Sequence, residues 1–268
     1  MVWDKEEPNG LDELKRRLWA LSNKPAAFRG QADCTWALRS LFDRRTRSET
    51  PRANRMKRER KLLDDFANKA RLFLSERERL SIDHFTHRPT GFDVWSVMAI
   101  ARHYGLATRA LDWTSSVLAA AYFAAIGEPE KSGAVWWFDQ TELESVLHRS
   151  WDEWGVPKRD GDPREERAIE AQAFREQYEH LWLTKIHFPV PFPRMEAQRA
   201  FLTICSQLGV NHCEAIDKLG VVRKGKFVIP RDLKTPLLAY LDKLGVSAHS
   251  LLYPGADVTA QEINADYS

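Results

Sequence analysis

Three stretches of the chain carry apolar residues in patterns typical of helices. In Leu11–Leu21 leucines recur three or four residues apart, which predicts an amphipathic helix that ends near Pro25. Phe92–Tyr104 predicts a second helix, closed by Gly105 in the left-handed conformation common after a helix end. Val117–Ile126 is almost wholly apolar and rich in alanine, which predicts a helix that is buried on every side.

Shorter apolar runs predict strands, and a further helix is expected over Arg231–Leu244. The predicted strands are Ala26–Phe28, Gly133–Phe138, Arg199–Cys205 and Lys226–Pro230. We expect Arg29 to lie at the end of the first of these strands, where Gly30 allows the backbone to turn. Strands that alternate with helices, without a clear linker, predict one α+β or α/β domain over residues 1–268, with a small central sheet flanked by helices.

One segment interrupts this pattern. Residues 151–167 are polar and carry Pro157, Gly161 and Pro163, so we expect an exposed insertion within the single domain.

Charge and cysteine content narrow the class of protein. The 40 Lys and Arg nearly balance the 38 Asp and Glu, so the overall charge does not commit the chain to nucleic acid or to membranes. Three cysteines without a CxxC pair disfavour a disulfide framework and a structural metal site, and we expect no metal. No apolar run reaches the length of a membrane span, and the expected location is the reducing cytoplasm.

A basic run extends from Arg44 to Lys61 and contains nine Lys or Arg against Glu49 and Glu59. One interpretation is a solvated loop that leads into a helix. The other is a surface for nucleic acid, since clustered cations attract phosphates.

The loop Leu106–Ser116 concentrates polar residues between two apolar helices. Thr114, Ser115 or Ser116 is suited to cap the second helix, whose first N–H groups would then form a candidate phosphate site. The alternative is a structural role for the loop, in which Arg109 forms an ion pair with Asp112 and the side chain of Trp113 is buried in the core.

Arg29 also has two interpretations, one in ligand binding and one in structure. Its guanidinium can form paired hydrogen bonds with a phosphate, or it can form an ion pair with an acid such as Asp33. Glu196 and Gln198 stand two residues apart just before a predicted strand, so their side chains can line one pocket. His103 is a weaker candidate, since the sequence contains no HExxH spacing and no evident nucleophile motif.

Four further features of the chain are the segments FRGQADCTWALRSLFDR (28–44), HYGLATRALDWTSSVLAAAYFA (103–124), RMEAQRAFLTI (194–204) and GVSAHSLLYPGADVTAQEI (245–263). Together they resemble the FRG domain, a family of bacterial and phage-associated proteins named after the first tripeptide. Some members of this family occur among toxin and antiphage-defence genes. The resemblance therefore implies a toxin or antiphage effector, with an antitoxin or another regulatory protein as a candidate partner.

The chain is also distantly similar to ADP-ribosyltransferases, and this similarity implies NAD as substrate. Arg29 would hold the NAD phosphate or the ribose edge, and Thr114 and Ser115 would supply hydroxyls. The catalytic candidates are Arg29, Asp112, Glu196 and Gln198, with Gln198 at the position of the family's glutamate. The remaining cofactor-binding candidates are Tyr104, Thr108, Arg109 and Trp113.

These residues leave two functions open. The first is transfer of ADP-ribose from NAD to a nucleic acid or a protein. The second is a non-catalytic module that binds a nucleotide or a phage protein, and it is favoured by Gln198, which cannot carry the charge that an oxocarbenium-like transition state needs.

Overall fold

A seven-stranded sheet forms the centre of the described structure. The computed structural model describes residues 3, 5–46, 50–87, 91–153, 181–186 and 192–252. The strands are β1 (Lys5–Glu6), β2 (Ala26–Gln31), β3 (Leu111–Thr114), β4 (Gly133–Asp139), β5 (Leu183–Ile186), β6 (Ala200–Cys205) and β7 (Lys224–Ile229). Their order across the sheet is β1-β7-β4-β2-β3-β6-β5. All neighbours pair antiparallel except β1 and β7, which are parallel, and the fold is α+β.

Helices cover both faces of this sheet. In chain order they are α1 (Leu11–Ser22), α2 (Leu41–Arg45), α3 (Arg52–Ala70), α4 (Glu76–His87), α5 (Gly91–His103), α6 (Val117–Ala125), α7 (Gln140–Glu153), α8 (Pro193–Ala197), α9 (His212–Lys218), α10 (Arg231–Asp242) and α11 (Ala248–Leu252). The predicted helices correspond to α1, α5, α6 and α10. The expected insertion at 151–167 lies almost entirely outside the described residues.

Two apolar cores result from this arrangement, one on each face of the sheet. Leucines of α1 and α10 pack with the alanines of α6 against Phe28, Val135 and Phe227. On the other face, α3, α5 and α7 pack against Leu111, Trp113 and Phe138. Because apolar residues of α6 meet the sheet and also both neighbouring helices, the all-apolar sequence of α6 matches its burial.

Strand β2 continues beyond its predicted end. Arg29 pairs with Trp136 in the middle of the β2–β4 ladder, and Gly30 pairs with Val135, so the predicted strand end at Arg29 and turn at Gly30 were wrong. A Cβ atom on Gly30 would lie 1.9 Å from the carbonyl oxygen of Ala120 in α6. Glycine is needed here because the helix backbone packs directly on the strand.

Strand β3 lies inside the segment that was predicted to be a loop. Leu111–Thr114 pairs antiparallel with β6 along its whole length. The prediction of one continuous loop from 106 to 116 was therefore wrong, and this segment supplies a central strand.

Candidate functional site

A cleft opens where β2 and β3 diverge. In the described part of the chain these two strands are joined by one residue pair, Phe28 with Thr114, although both continue beyond it. The cleft has a volume of about 510 Å³, within the usual range of small-molecule sites. Its polar and aromatic lining includes Arg29, Gln31, Trp36, Arg44, Arg102, His103, Asp112, Thr114, Phe123, Arg194 and Gln198.

Two arginines bind one carboxylate on the cleft wall. Nε of Arg102 lies 3.2 Å from each carboxylate oxygen of Asp112, and its Nη2 lies 2.5 Å from Oδ2. Arg29 donates from Nη1 to the main-chain oxygen of Asp112 at 2.6 Å and lies 3.6 Å from Oδ2. Strand β2, strand β3 and the end of α5 are thus joined at Asp112.

The electrostatics of the cleft are dominated by cations. Burial lowers the pKa of Arg29 to about 10, although the charge of Asp112 opposes this shift, so the guanidinium stays protonated at neutral pH. Burial acts to raise the pKa of Asp112, but the charges of Arg102 and Arg29 outweigh it and the net pKa is lowered. Arg44 and Arg194 also line the cleft. Four arginines therefore face one ionised carboxylate in the described lining, and this favours an anionic ligand.

Another part of the cleft lining is built around His103 at the end of α5. Its ring stacks on Phe192, with centroids 3.9 Å apart and an interplanar angle of 17°. Arg194 donates from Nη2 to the main-chain oxygen of His103 at 3.2 Å. Gly105 follows with φ +86°, and this left-handed residue ends α5 as predicted.

Trp36 adds an aromatic surface to the cleft. It lines the cavity and its exposed fraction is 42%, large enough for a base or a nicotinamide ring to stack on it.

Five of the predicted site residues border this cleft: Arg29, Asp112, Trp113, Thr114 and Gln198. Thr114 donates from Oγ1 to the main-chain oxygen of Gln198 at 2.6 Å. Gln198 donates from Nε2 to the main-chain oxygen of Leu251 at 2.8 Å. The indole of Trp113 is buried and donates to Oγ1 of Thr203 at 2.8 Å, so it cannot stack on a ligand ring.

The other predicted site residues lie outside the cleft lining. Tyr104 is exposed, and its hydroxyl donates to Oε1 of Glu78 at 2.9 Å. Thr108 is fully buried, and Glu196 is exposed on α8. Ser115 borders a second cavity of about 470 Å³ with Arg199. The structure brings together only part of the predicted set.

Arg109 belongs to a buried ion pair elsewhere. Its exposed fraction is 2% and that of its partner Glu59 is 1%. Nε of Arg109 lies 2.7 Å from Oε2 of Glu59, Nη2 contacts the same oxygen, and the Arg109 amide donates to Oε1 at 3.2 Å. The ion pair between Arg109 and Asp112, which was one of the two alternatives for this loop, is therefore wrong, because each residue has a different partner.

Two further predictions were confirmed in kind, although the acid that pairs with Arg29 is not the one named as the example. Arg29 pairs with Asp112 and not with Asp33, whose carboxylate accepts from the amide and hydroxyl of Thr35. The predicted cap of α6 is confirmed, because the Ser116 hydroxyl accepts from the amide of Ala119, and Thr114 accepts from the amide of Ser116. The hydroxyls of the expected phosphate site are thus engaged with the protein's own backbone.

The basic run is divided between the cleft and the surface. Arg44 lines the cleft, whereas Arg55 lies against Gly209. The exposed cations of α3 are Lys57, Arg58, Arg60, Lys61 and Lys69, and among these Lys61 pairs with Asp65. Arg47 is outside the described residues.

Four residues that line the cleft were not predicted for it: Trp36, Arg44, Arg102 and Arg194. Trp36 and Arg44 belong to the first quoted segment, and Arg102 directly precedes the second. A usable signal was present, since each is a long polar or aromatic side chain within, or directly next to, one of the four segments.

Comparisons with known proteins match one family over the segment that builds most of the cleft. No curated protein and no solved structure matches the chain significantly. Among the described helices, none is both long and apolar enough to cross a bilayer. Residues 24–133, which include Arg29, Trp36, Arg44, Arg102, His103 and Asp112, match the FRG domain.

Proposed function

We propose that the cleft binds NAD through its diphosphate and that the protein transfers ADP-ribose to a macromolecular acceptor. The observation that carries the proposal is the convergence of Arg29, Arg44, Arg102 and Arg194 on one cavity. Guanidinium groups bind phosphate oxygens with paired hydrogen bonds. The two negative charges of the NAD diphosphate would offset most of the excess of positive charge there.

Other lining residues support a dinucleotide as the ligand. Trp36 offers a stacking surface for one of its rings. Gln198 presents an amide that can orient a ribose hydroxyl. Asp112 is the carboxylate of the described lining, and in this proposal it stabilises the positive charge that develops on the ribose as nicotinamide leaves.

A second candidate is a module that binds the nucleotide without turnover. Asp112 is held by two arginines, which reduces the negative charge that it can offer to a reacting ribose. Gln198 is neutral, and its amide already donates to Leu251. Both observations favour a binding function for the same cleft.

We also propose nucleic acid as the acceptor, bound by the cations of α3. Their exposure and clustering support this, and Arg44 places one member of the basic run at the cleft. The resemblance to FRG proteins is what supports a role as a toxin or antiphage effector restrained by a regulatory protein.

The direct test is incubation of the purified protein with NAD labelled on the adenylate, followed by separation of protein, RNA and DNA. Label in one fraction supports transfer and identifies the acceptor. Calorimetry on the same protein measures NAD binding. Failure to bind NAD would contradict both candidates in the form stated here.

Arg29→Ala should weaken NAD binding by about 10- to 100-fold, because a charge-assisted hydrogen bond contributes about 1.5–3 kcal/mol. The matched control is Arg199→Ala, since Arg199 is exposed and lies outside this cleft. Near-ultraviolet circular dichroism should show that both variants keep the native fold. Equal NAD affinities for the two variants would contradict the assignment of the cleft.

Asp112→Asn separates the two candidate functions. The amide keeps the shape of the side chain but removes its charge, so Arg29 and Arg102 should bind the diphosphate more tightly, by about tenfold. If the protein is a transferase, nicotinamide release should fall at least about tenfold while binding improves. Tighter binding without nicotinamide release from either protein would support the binding module, and weaker binding would contradict the arginine site.

A further inference from the structure

His103 is the side chain of the described cleft lining that is best placed to accept a proton at neutral pH. It lines the cavity, and its Nδ1 atom is buried without a hydrogen-bond partner in the described structure. This leaves Nε2 as the ring nitrogen that can meet a ligand. The stacking on Phe192 holds the plane of the ring against α8.

Charged groups from two other elements face this imidazole. Burial lowers its pKa most, the positive charge of Arg194 on α8 lowers it further, and the negative charge of Glu78 on α4 raises it. The net pKa is below the usual 6.5. Glu78 also accepts hydrogen bonds from Tyr104 and Ser75, so part of its charge is engaged elsewhere.

The other polar groups of the described cleft are poorly suited to take up a proton. Four of them are arginines, which remain protonated. The Asp112 carboxylate is bound by Arg102, which keeps its pKa low. Gln198 is an amide, and the Thr114 hydroxyl is engaged with the backbone.

We propose that His103 is the general base of this cleft. This inference rests on the proposed transferase function. The oxygen of the acceptor hydroxyl, or of water, forms a bond to C1′ of the NAD ribose. The bond from C1′ to the nicotinamide nitrogen breaks, and its electron pair leaves with neutral nicotinamide. The acceptor proton passes to Nε2 of His103, so charge and atoms balance without a further reactant.

The test compares His103→Gln with the wild-type protein in NAD turnover and NAD binding. Glutamine retains a polar side chain but cannot take up the proton, so kcat should fall by about 10²- to 10⁴-fold while the Kd for NAD changes by less than about threefold. Wild-type kcat should decrease as the pH falls through the His103 pKa, because protonation removes the base, with a midpoint below 6.5. The variant should lack this decrease.

Two further measurements distinguish a base from a structural residue. Added imidazole should restore part of the turnover of His103→Ala, which a purely structural role would not allow. His249→Gln is the matched control, since His249 is exposed on α11 and should leave kcat unchanged.

The possible outcomes distinguish failure of the His103 base assignment from failure of the proposed transferase function. Turnover in His103→Gln that equals the wild type and keeps the same acid limb overturns the base assignment alone. NAD binding without any wild-type turnover overturns the transferase and the base together, and leaves the binding module. Loss of NAD binding in His103→Gln with unchanged kcat at saturation would assign the ring to ligand binding and overturn the base role.

Discussion

Glu59→Ala should lower the free energy of unfolding by about 3–5 kcal/mol, because it leaves the guanidinium of Arg109 buried without its carboxylate. Glu59 satisfies both the side chain and the main-chain amide of Arg109. This pair also joins α3 to the segment that leads into β3. Urea denaturation monitored by circular dichroism measures the change.

Asp65→Ala is the matched control on the same helix. It removes an exposed pair with Lys61, and such pairs contribute at most about 1 kcal/mol. A double variant in which Glu59 and Arg109 are both replaced by Leu should recover much of the loss, since no charge stays buried. Equal losses for Glu59→Ala and Asp65→Ala would contradict the buried pair.

His212→Leu should remove a large part of the protein's acid sensitivity. Burial, followed by the charge of Arg29, lowers the pKa of His212 to about 3, and its exposed fraction is 1%. In the unfolded state His212 therefore takes up a proton near pH 6.5, whereas in the folded state it stays neutral until the pH approaches about 3. Stability from this group is complete above pH 6.5 and is lost as the pH falls, by roughly 2–3 kcal/mol at pH 4.5.

The measurement is the difference between unfolding free energies at pH 8 and pH 4.5. We expect this difference to shrink by roughly 2–3 kcal/mol in His212→Leu, because leucine does not titrate. His249→Leu replaces an exposed histidine and should change it by less than about 0.5 kcal/mol. An unchanged difference in His212→Leu would show that the buried imidazole is not the acid-sensitive group.

The helices were predictable because their signals are local. The leucine spacing of α1, the glycine after α5 and the uninterrupted apolar run of α6 each lie within one element. Strand β3 carried only a short signal: its four residues alternate between apolar and polar, with Asp112 and Thr114 as the polar ones, and four residues are the minimum over which such alternation indicates a strand. Its pairing partner β6 lies some 90 residues later in the chain, and local periodicity cannot identify a partner so far away.

The candidate site was predictable in part for a related reason. Arg29, Asp112 and Gln198 were selected together, and the structure places all three on one cleft. The partner of an arginine, in contrast, is decided by tertiary packing. The sequence could not show that Arg109 meets Glu59, 50 residues away, or that Arg102 rather than Arg109 binds Asp112.

The divergence of β2 from β3 divides the described sheet into two halves, and residues of both halves line the cleft. One half comprises β1, β7, β4 and β2, and carries Arg29. The other comprises β3, β6 and β5 with Gln198 just before β6, and within the described residues the two share the backbone pair of Phe28 and Thr114. A ligand that contacts both Arg29 and Gln198 connects the two halves of the sheet. Its binding free energy therefore also opposes separation of the halves. Ligand binding would then reduce the mobility of the outer strands and helices. A partner protein that binds these elements can respond to this change without contacting the ligand.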